Sequence, residues 1–285
     1  MKKPWEGKLM WIWNVNRTNN GDVFNIIDQA RRMGLTGVLV KYHEGSQPYG
    51  RNGDGSRAEF QKDFRRVLPH LKQAGLSVGA WGYNYMENPA GEAAMIKQAL
   101  DDGADWYCFD PEGEVERTPH SQTEECLRLV RTGYPAAYLG YAPFPISQYH
   151  SDYPYQLFDH YCDVNLPQVY WEAIGWPVDK VWSMMLAGFA QLKLQKPVAP
   201  VGQAYDMASY EDILKFAELA KAAYCTGLSF WVWEQAKPRQ IDAVSAIWLP
   251  PGTETSAVPV TTEAAAEIVQ LKARLAAIEK LAREG

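Results

Sequence analysis

The chain alternates. Short β-rich runs and amphipathic helical patterns follow one another through most of the sequence, and few folds tolerate that order. β-rich runs are read at 8–15, 37–43, 77–85, 105–110, 136–142, 163–171, 197–205 and 227–233. Between them, apolar residues recur every three or four positions over 23–33, 59–74, 92–102, 123–132, 178–194 and 210–223. Gly34, Gly75, Gly103, Gly133 and Gly227 stand where a helix hands over to a strand. Eight strands, each followed by a helix or helical turn, predict an α/β (β/α)8 TIM barrel over residues 1–248. A doubly wound sheet is the runner-up, but the first strand's exit, "NVNRTNNGD", lacks the glycines of a dinucleotide-binding turn.

After Trp248 the character changes. Residues 249–262, "LPPGTETSAVPVTT", read as a Pro/Thr-rich linker, and residues 263–285 form a strong helix-forming segment. There Ala264, Ile268, Leu271, Leu275, Ile278 and Ala282 recur four, three, four, three and four apart. This is a short heptad seam, suited to a coiled coil joining copies of the chain or to a helix packed back on the barrel.

Several function classes fall away on composition. A formal charge of −6 disfavours nucleic acid as a partner, because phosphate neutralisation needs a basic face. No run approaches the ~20 apolar residues of a membrane span. Glu6 and Lys8 interrupt the N-terminus before any signal-peptide core forms, so the expectation is cytoplasmic synthesis. Cys108, Cys126, Cys162 and Cys225 are scattered without metal-ligand spacing, which favours reduced thiols. No cofactor is implied. The unusual component is aromatic: 11 Trp and 16 Tyr, more than packing alone requires and well suited to sugar rings.

Barrel enzymes carry their chemistry at the C-terminal ends of the strands. Those ends read as a polar and aromatic ring: Asn14; Lys41 and His43; Trp81 and Tyr83; Asp110 and Glu112; Tyr141; Gln168 and Tyr170; Gln203, Tyr205 and Asp206; Trp231, Trp233 and Glu234. The strand beginnings are aliphatic filler. Alternation along a strand turns Lys41, His43, Asp110 and Glu112 inward, because an unpaired charge beneath the helices would cost several kcal/mol.

"DWYCFDPEGE" is the chemical core of this ring. Two carboxylates two apart on one strand repel, which raises the pKa of one. A carboxylic acid still protonated near neutrality can donate to a glycosidic oxygen. Glu112, nearer the rim, is the expected acid, and Asp110 the expected charge stabiliser. Carboxylates on one strand could also hold a divalent cation with Glu44, Asp206 or Glu234, though oxygen-rich sites draw ligands from several segments. Lys41 as a Schiff-base lysine is disfavoured, since nearby carboxylates raise the pKa that such chemistry needs lowered.

"FDPE" at the end of the fourth strand resembles the D-x-E signature of the family 25 lysozyme-like muramidases, and equally the end of the D-x-x-D-x-D-x-E motif of the family 18 chitinases. "GLSFWVW" is similar to the final chitinase strand, whose Trp floors a sugar subsite, and "QVYW" and "GQAYD" resemble the sixth and seventh strands of such barrels. The resemblance implies Glu112 as general acid and Asp110 as its assistant. It also implies Trp231 or Trp233 as the floor, and Gln168, Tyr170 and Tyr205 against an N-acetyl group. The implied substrate is an N-acetylhexosamine polysaccharide, peptidoglycan first. Asn14 stands where the muramidases carry an inward Asp, and "DWYC" replaces most of the chitinase motif. A non-catalytic sugar-binding or structural barrel of a surface or virion assembly is the alternative.

Overall fold

The computed structural model describes residues 2–248, so the linker at 249–262 and the heptad helix at 263–285 lie outside the described residues. All eight expected strands are present: β1 (Gly7–Ile12), β2 (Gly37–Glu44), β3 (Ser77–Asn84), β4 (Trp106–Pro111), β5 (Leu139–Tyr141), β6 (Val164–Asn165 continuing in Gln168–Val169), β7 (Val201–Gln203) and β8 (Gly227–Trp231). They form one nine-segment parallel sheet whose two ends are the two pieces of β6. Pro167 lies between those pieces and brings no N–H, yet pairing continues on both sides. Leu166 N donates to Tyr141 O (2.7 Å), and Ala199 N and Val201 N donate to Asn165 O (2.8 Å) and Pro167 O (2.9 Å). The sheet therefore curls onto itself through β6, and β1 pairs with β8 in parallel register.

Helices α1 (Val23–Arg32), α2 (Phe60–Gln73), α3 (Pro89–Asp101), α4 (His120–Gly133), α5 (Tyr155–Tyr161), α6 (Val178–Leu192), α7 (Tyr210–Ala222) and α8 (Pro238–Ala246) cover the outside. Their starts follow local chemistry. Asp22 accepts from Phe24 N and Asn25 N, Asn88 from Gly91 N ahead of α3, and Ser209 from Asp212 N. The helices α5 and α8 escape the periodicity reading because one is short and the other hides its pattern behind Pro238. None of the described helices is long and apolar enough to cross a membrane.

Strand alternation divides the core. Leu9, Trp11, Leu39, Trp81, Trp106, Cys108, Val164, Leu166 and Val201 fill the barrel. Met10, Ile12, Val38, Val40, Ala80, Tyr107 and Phe109 pack beneath the helices. Gly79 makes room inside: a Cβ there would sit 2.6 Å from the Trp106 indole nitrogen. Lys8 is buried on the outer side, where its ammonium donates to Val244 O (2.6 Å) and Ile247 O (2.8 Å), tying the end of α8 to β1. The four cysteines are free thiols, three of them buried.

Candidate active site

At the C-terminal mouth a cavity of about 370 Å³ is floored by Trp11 and Trp231 and walled by Ala142, Phe144, Pro145, Gln168, Tyr170, Ala173, Ile174 and Tyr205. Asp110 and Glu112 both face into it. The floor is held from below. Trp81 meets Trp11 and Trp231 edge-on (5.4 and 5.2 Å between centroids), while the Trp11 indole N–H donates to Ser229 Oγ (2.9 Å). Tyr170 and Tyr205 stand nearly perpendicular at 5.9 Å. Phe144 is backed by the His150 ring, which Glu116 fixes at 2.8 Å.

Position along β4 separates the two acids. Asp110 is the penultimate residue of the strand, 6% exposed, two residues beyond Cys108. Its backbone N–H donates to Asn84 Oδ1 (3.1 Å), and its Oδ1 accepts from Gln168 Nε2 (2.9 Å). Burial pushes its pKa well above the usual carboxylate range, helped by the charge of Glu112 and opposed by Lys41. Glu112 follows Pro111, where the strand has stopped and a residue lacking an N–H is tolerated. Its pKa is also raised, first by burial and then by Glu114, against the Tyr83 hydroxyl and Lys41. Burial is the first cause for both acids, and each also feels a like-charged neighbour, Glu112 for Asp110 and Glu114 for Glu112.

Of the residues expected at the mouth, Gln168, Tyr170, Tyr205 and Trp231 meet the two acids around the cavity. The others do different work. His43 is turned outward: the β2–β3 register shifts between Lys41 and His43, a β-bulge that reverses the alternation. Its ring stacks on Tyr107 and is wholly buried, and burial pulls its pKa down to about 3. Nδ1 faces Gly45 O (2.7 Å), which only accepts, so the neutral ring carries its proton there and Nε2 accepts from Tyr107 OH (2.6 Å). Tyr141 also faces outward, stacked on Phe158 with its hydroxyl toward Asp159, because Gly140 and Ala142 hold the inward parity of β5.

Trp233 leaves β8 in a short 3₁₀ turn and packs with the outer core, donating to Gln29 Oε1 (3.3 Å). Trp81 is a buried prop rather than a platform, its indole N–H given to Ile12 O (3.1 Å). Asp206 has left-handed backbone (φ 50°) and an exposed side chain; its carbonyl accepts from Lys237 Nζ (2.7 Å). Gln203 caps the short helix Trp171–Ile174, its Oε1 accepting from Glu172 N (3.0 Å). Asn14 bonds Asn52 Oδ1 (2.6 Å) in the loop after β2. Glu234 accepts from Asn14 N (2.8 Å), Trp13 N and Thr18 Oγ1, fastening the exit of β1. Its pKa is raised to about 7 by burial, yet it does not line the cavity.

Lys41 is inward as expected but fenced off. Its ammonium lies 3.0 Å from Glu44 and within 6.0 Å of the Trp13, Phe60, Trp81 and Tyr83 rings. Tyr83 donates to Glu114 Oε2 (2.8 Å) at the rim. Among the described residues, no group of three or more His, Cys, Asp or Glu could hold a metal ion. The other large cleft, about 520 Å³ at the strand starts, offers no comparable chemistry. Its Asp105 is bound to Lys72 (2.7 Å) and Val78 N (2.8 Å).

Trp11, Phe144, Pro145, Ala173 and Ile174 were not anticipated. Trp11 was legible, since it shares inward parity with Leu9. The loop residues were not, because no periodicity governs a loop's direction. The role of Asn84 at the end of β3, accepting from Asp110 N, needs the neighbouring strand to be seen.

No protein-family model matches the chain, and no curated protein matches it in sequence. Solved structures match in shape. A chitinase from Chromobacterium violaceum superposes with a TM-score of 0.61 at 13% identity, covering 84% of this chain and 98% of that one. The spore cortex-lytic enzyme SleL of Bacillus megaterium gives 0.58 at 10%, covering 85% and 74%. A glycoside hydrolase family 18 N-acetylglucosaminidase from Paenibacillus barengoltzii gives 0.57 at 11%, covering 84% and 99%. The fold is that of the family 18 barrels. The likeness to the family 25 muramidases rests on the D-x-E alone.

Proposed function

We propose that the protein is a glycoside hydrolase acting on an N-acetylhexosamine polymer, peptidoglycan in particular. The observation that carries this reading is the pairing of Asp110 and Glu112 in a tryptophan-floored cavity at the strand ends, both with raised pKa. Burial and like charge both favour the protonated form of these carboxyls, and protonation of a glycosidic oxygen requires a carboxylic acid in that form. The structural neighbours include chitinases and a cortex-lytic enzyme, which agrees with this substrate class.

The proposed route is substrate-assisted. Glu112 gives its proton to the leaving oxygen as the bond to the anomeric carbon breaks. The acetamido oxygen of the same sugar attacks that carbon, with Asp110 stabilising the positive charge that develops. Gln168 holds Asp110 in place, and Tyr170 and Tyr205 offer hydroxyls to the acetamido group. Water then opens the cyclic intermediate and returns a proton to Glu112. The test is incubation with purified peptidoglycan and with chitin, with released fragments analysed by mass, for the parent protein and Glu112→Gln. Fragments from the parent alone, with glycan binding kept in the variant, support the reading. Binding without release by the parent identifies a sugar-binding barrel instead.

A further inference from the structure

The two sides of the mouth differ. On the β1–β4 side the polar groups are already partnered within the protein. Arg17 meets Asp54 (2.7 Å), Lys41 and Tyr85 meet Glu44 (3.0 and 3.2 Å), and Tyr83 meets Glu114 (2.8 Å). On the β5–β7 side large apolar groups face solvent: Tyr149 is 67% exposed and Met207 is 72% exposed. Tyr149 follows the cavity wall Phe144–Pro145 in sequence, and Trp176 follows the cavity wall Ala173–Ile174. The two rings meet at 6.1 Å, so the loops after β5 and β6 carry one aromatic surface outward from the cavity.

This surface is held in advance. Gln148 Nε2 donates to Met184 O (3.2 Å), which fixes the Tyr149 turn on α6, and Trp176 N donates to Trp171 O (3.0 Å). The Lys180 ammonium covers the Trp176 ring at 3.5 Å. Neither the Tyr149 hydroxyl nor the Trp176 indole N–H has a hydrogen-bond partner among the described residues. Rigid amphipathic rings with a free polar edge lose little entropy on binding and suit a sugar's apolar face and hydroxyl rim.

We propose that Tyr149 and Trp176 form an outer glycan subsite, so that a bound polysaccharide runs from Asp110 and Glu112 across the β5–β6 rim. The occupant is a polysaccharide because the surface continues the cavity that holds the proposed acid. This rests on the glycoside hydrolase reading and adds a direction to it.

The test is calorimetric titration of the Glu112→Gln protein with two hexasaccharides, one of N-acetylglucosamine and one a peptidoglycan glycan strand, and with the corresponding disaccharides. Adding Tyr149→Ala should weaken hexasaccharide binding about tenfold, the loss of roughly one aromatic contact, and leave disaccharide binding unchanged. Trp176→Ala should weaken the hexasaccharide too. Tyr224→Ala, which removes a still more exposed ring preceding β8 at the opposite end of the barrel, should have no effect. Thermal melts establish that each variant is folded. Unchanged hexasaccharide affinity in folded Tyr149→Ala overturns the outer subsite while leaving the hydrolase reading intact. If the parent and Glu112→Gln proteins bind neither hexasaccharide, both fall.

Discussion

In the proposed reaction Asp110 and Glu112 would act by being expensive to ionise. The pKa of Asp110 is raised on folding, so the folded protein binds its proton more tightly than the unfolded chain does. Its contribution to stability is therefore greatest at low pH and declines as pH rises from the ordinary carboxylate pKa through the raised one. Asp110→Asn keeps an acceptor for Gln168 and removes that cost. The variant should melt higher than the parent at neutral pH, with the gain vanishing in acid, while turnover falls ~10²–10³-fold as for other lost oriented electrostatic contacts. Melting curves across pH read this directly, and equal melting at neutral pH would show that the ionised form is not strained. Glu114 adds to burial in raising the pKa of Glu112. Glu114→Gln retains an acceptor for Tyr83 but removes the charge, so the pKa of Glu112 should fall. The alkaline limb of kcat/KM should then move to lower pH, because activity is lost as the acid ionises. A limb that stays in place would assign the donated proton to another group.

Among the elements, the strand exits matter more than the strands. The bulge in β2 sends His43 behind the sheet, and Gly82 on β3 accommodates it: a Cβ there would lie 2.2 Å from His43 Nε2. The β1 exit is fastened by Glu234, whose carboxylate takes two backbone N–H groups and the Thr18 hydroxyl. From sequence Glu234 is one more polar group of the mouth, and its geometry makes it a brace of the β1 exit. Glu234→Gln halves its acceptor capacity and should lower stability by about 1–3 kcal/mol, the usual cost of leaving a buried donor unpaired. Turnover should fall far less than in Glu112→Gln. Urea melts together with initial rates separate the two roles; a loss of turnover matching Glu112→Gln at unchanged stability would move Glu234 into the reaction.

For the whole molecule, the barrel closes through β6 and is sealed at the N-terminal strand by α8, whose last carbonyls Lys8 holds. Every strand-to-strand contact that closes it lies within the described residues. A chain ending at Trp248 should consequently fold and melt within a few degrees of the full chain. If the heptad seam at 263–285 joins copies, the same truncation should lower the mass measured by light scattering. An unfolded 1–248 chain would instead make the C-terminal segment part of the barrel's stability.

Alternation and punctuation along the chain were enough to determine eight strands and their order, because periodicity and glycine signals are local. Parity placed Asp110 in the mouth for the same reason, since it lies on a regular strand whose outer face makes charge costly, and Glu112 follows one residue past the strand's end. Where regularity broke, only the tertiary structure decided. The bulge at Lys41–His43 reversed His43, the 3₁₀ turn after Trp231 carried Trp233 outward, and the positive φ of Asp206 left its side chain in solvent. Tyr141 had parity available, but a three-residue strand does not reveal its inward face until Ala142 is seen beside Gln168. The walls at Phe144, Pro145, Ala173 and Ile174 come from the loop after β5 and the one-turn helix after β6, whose paths depend on what they pack against rather than on their own sequence.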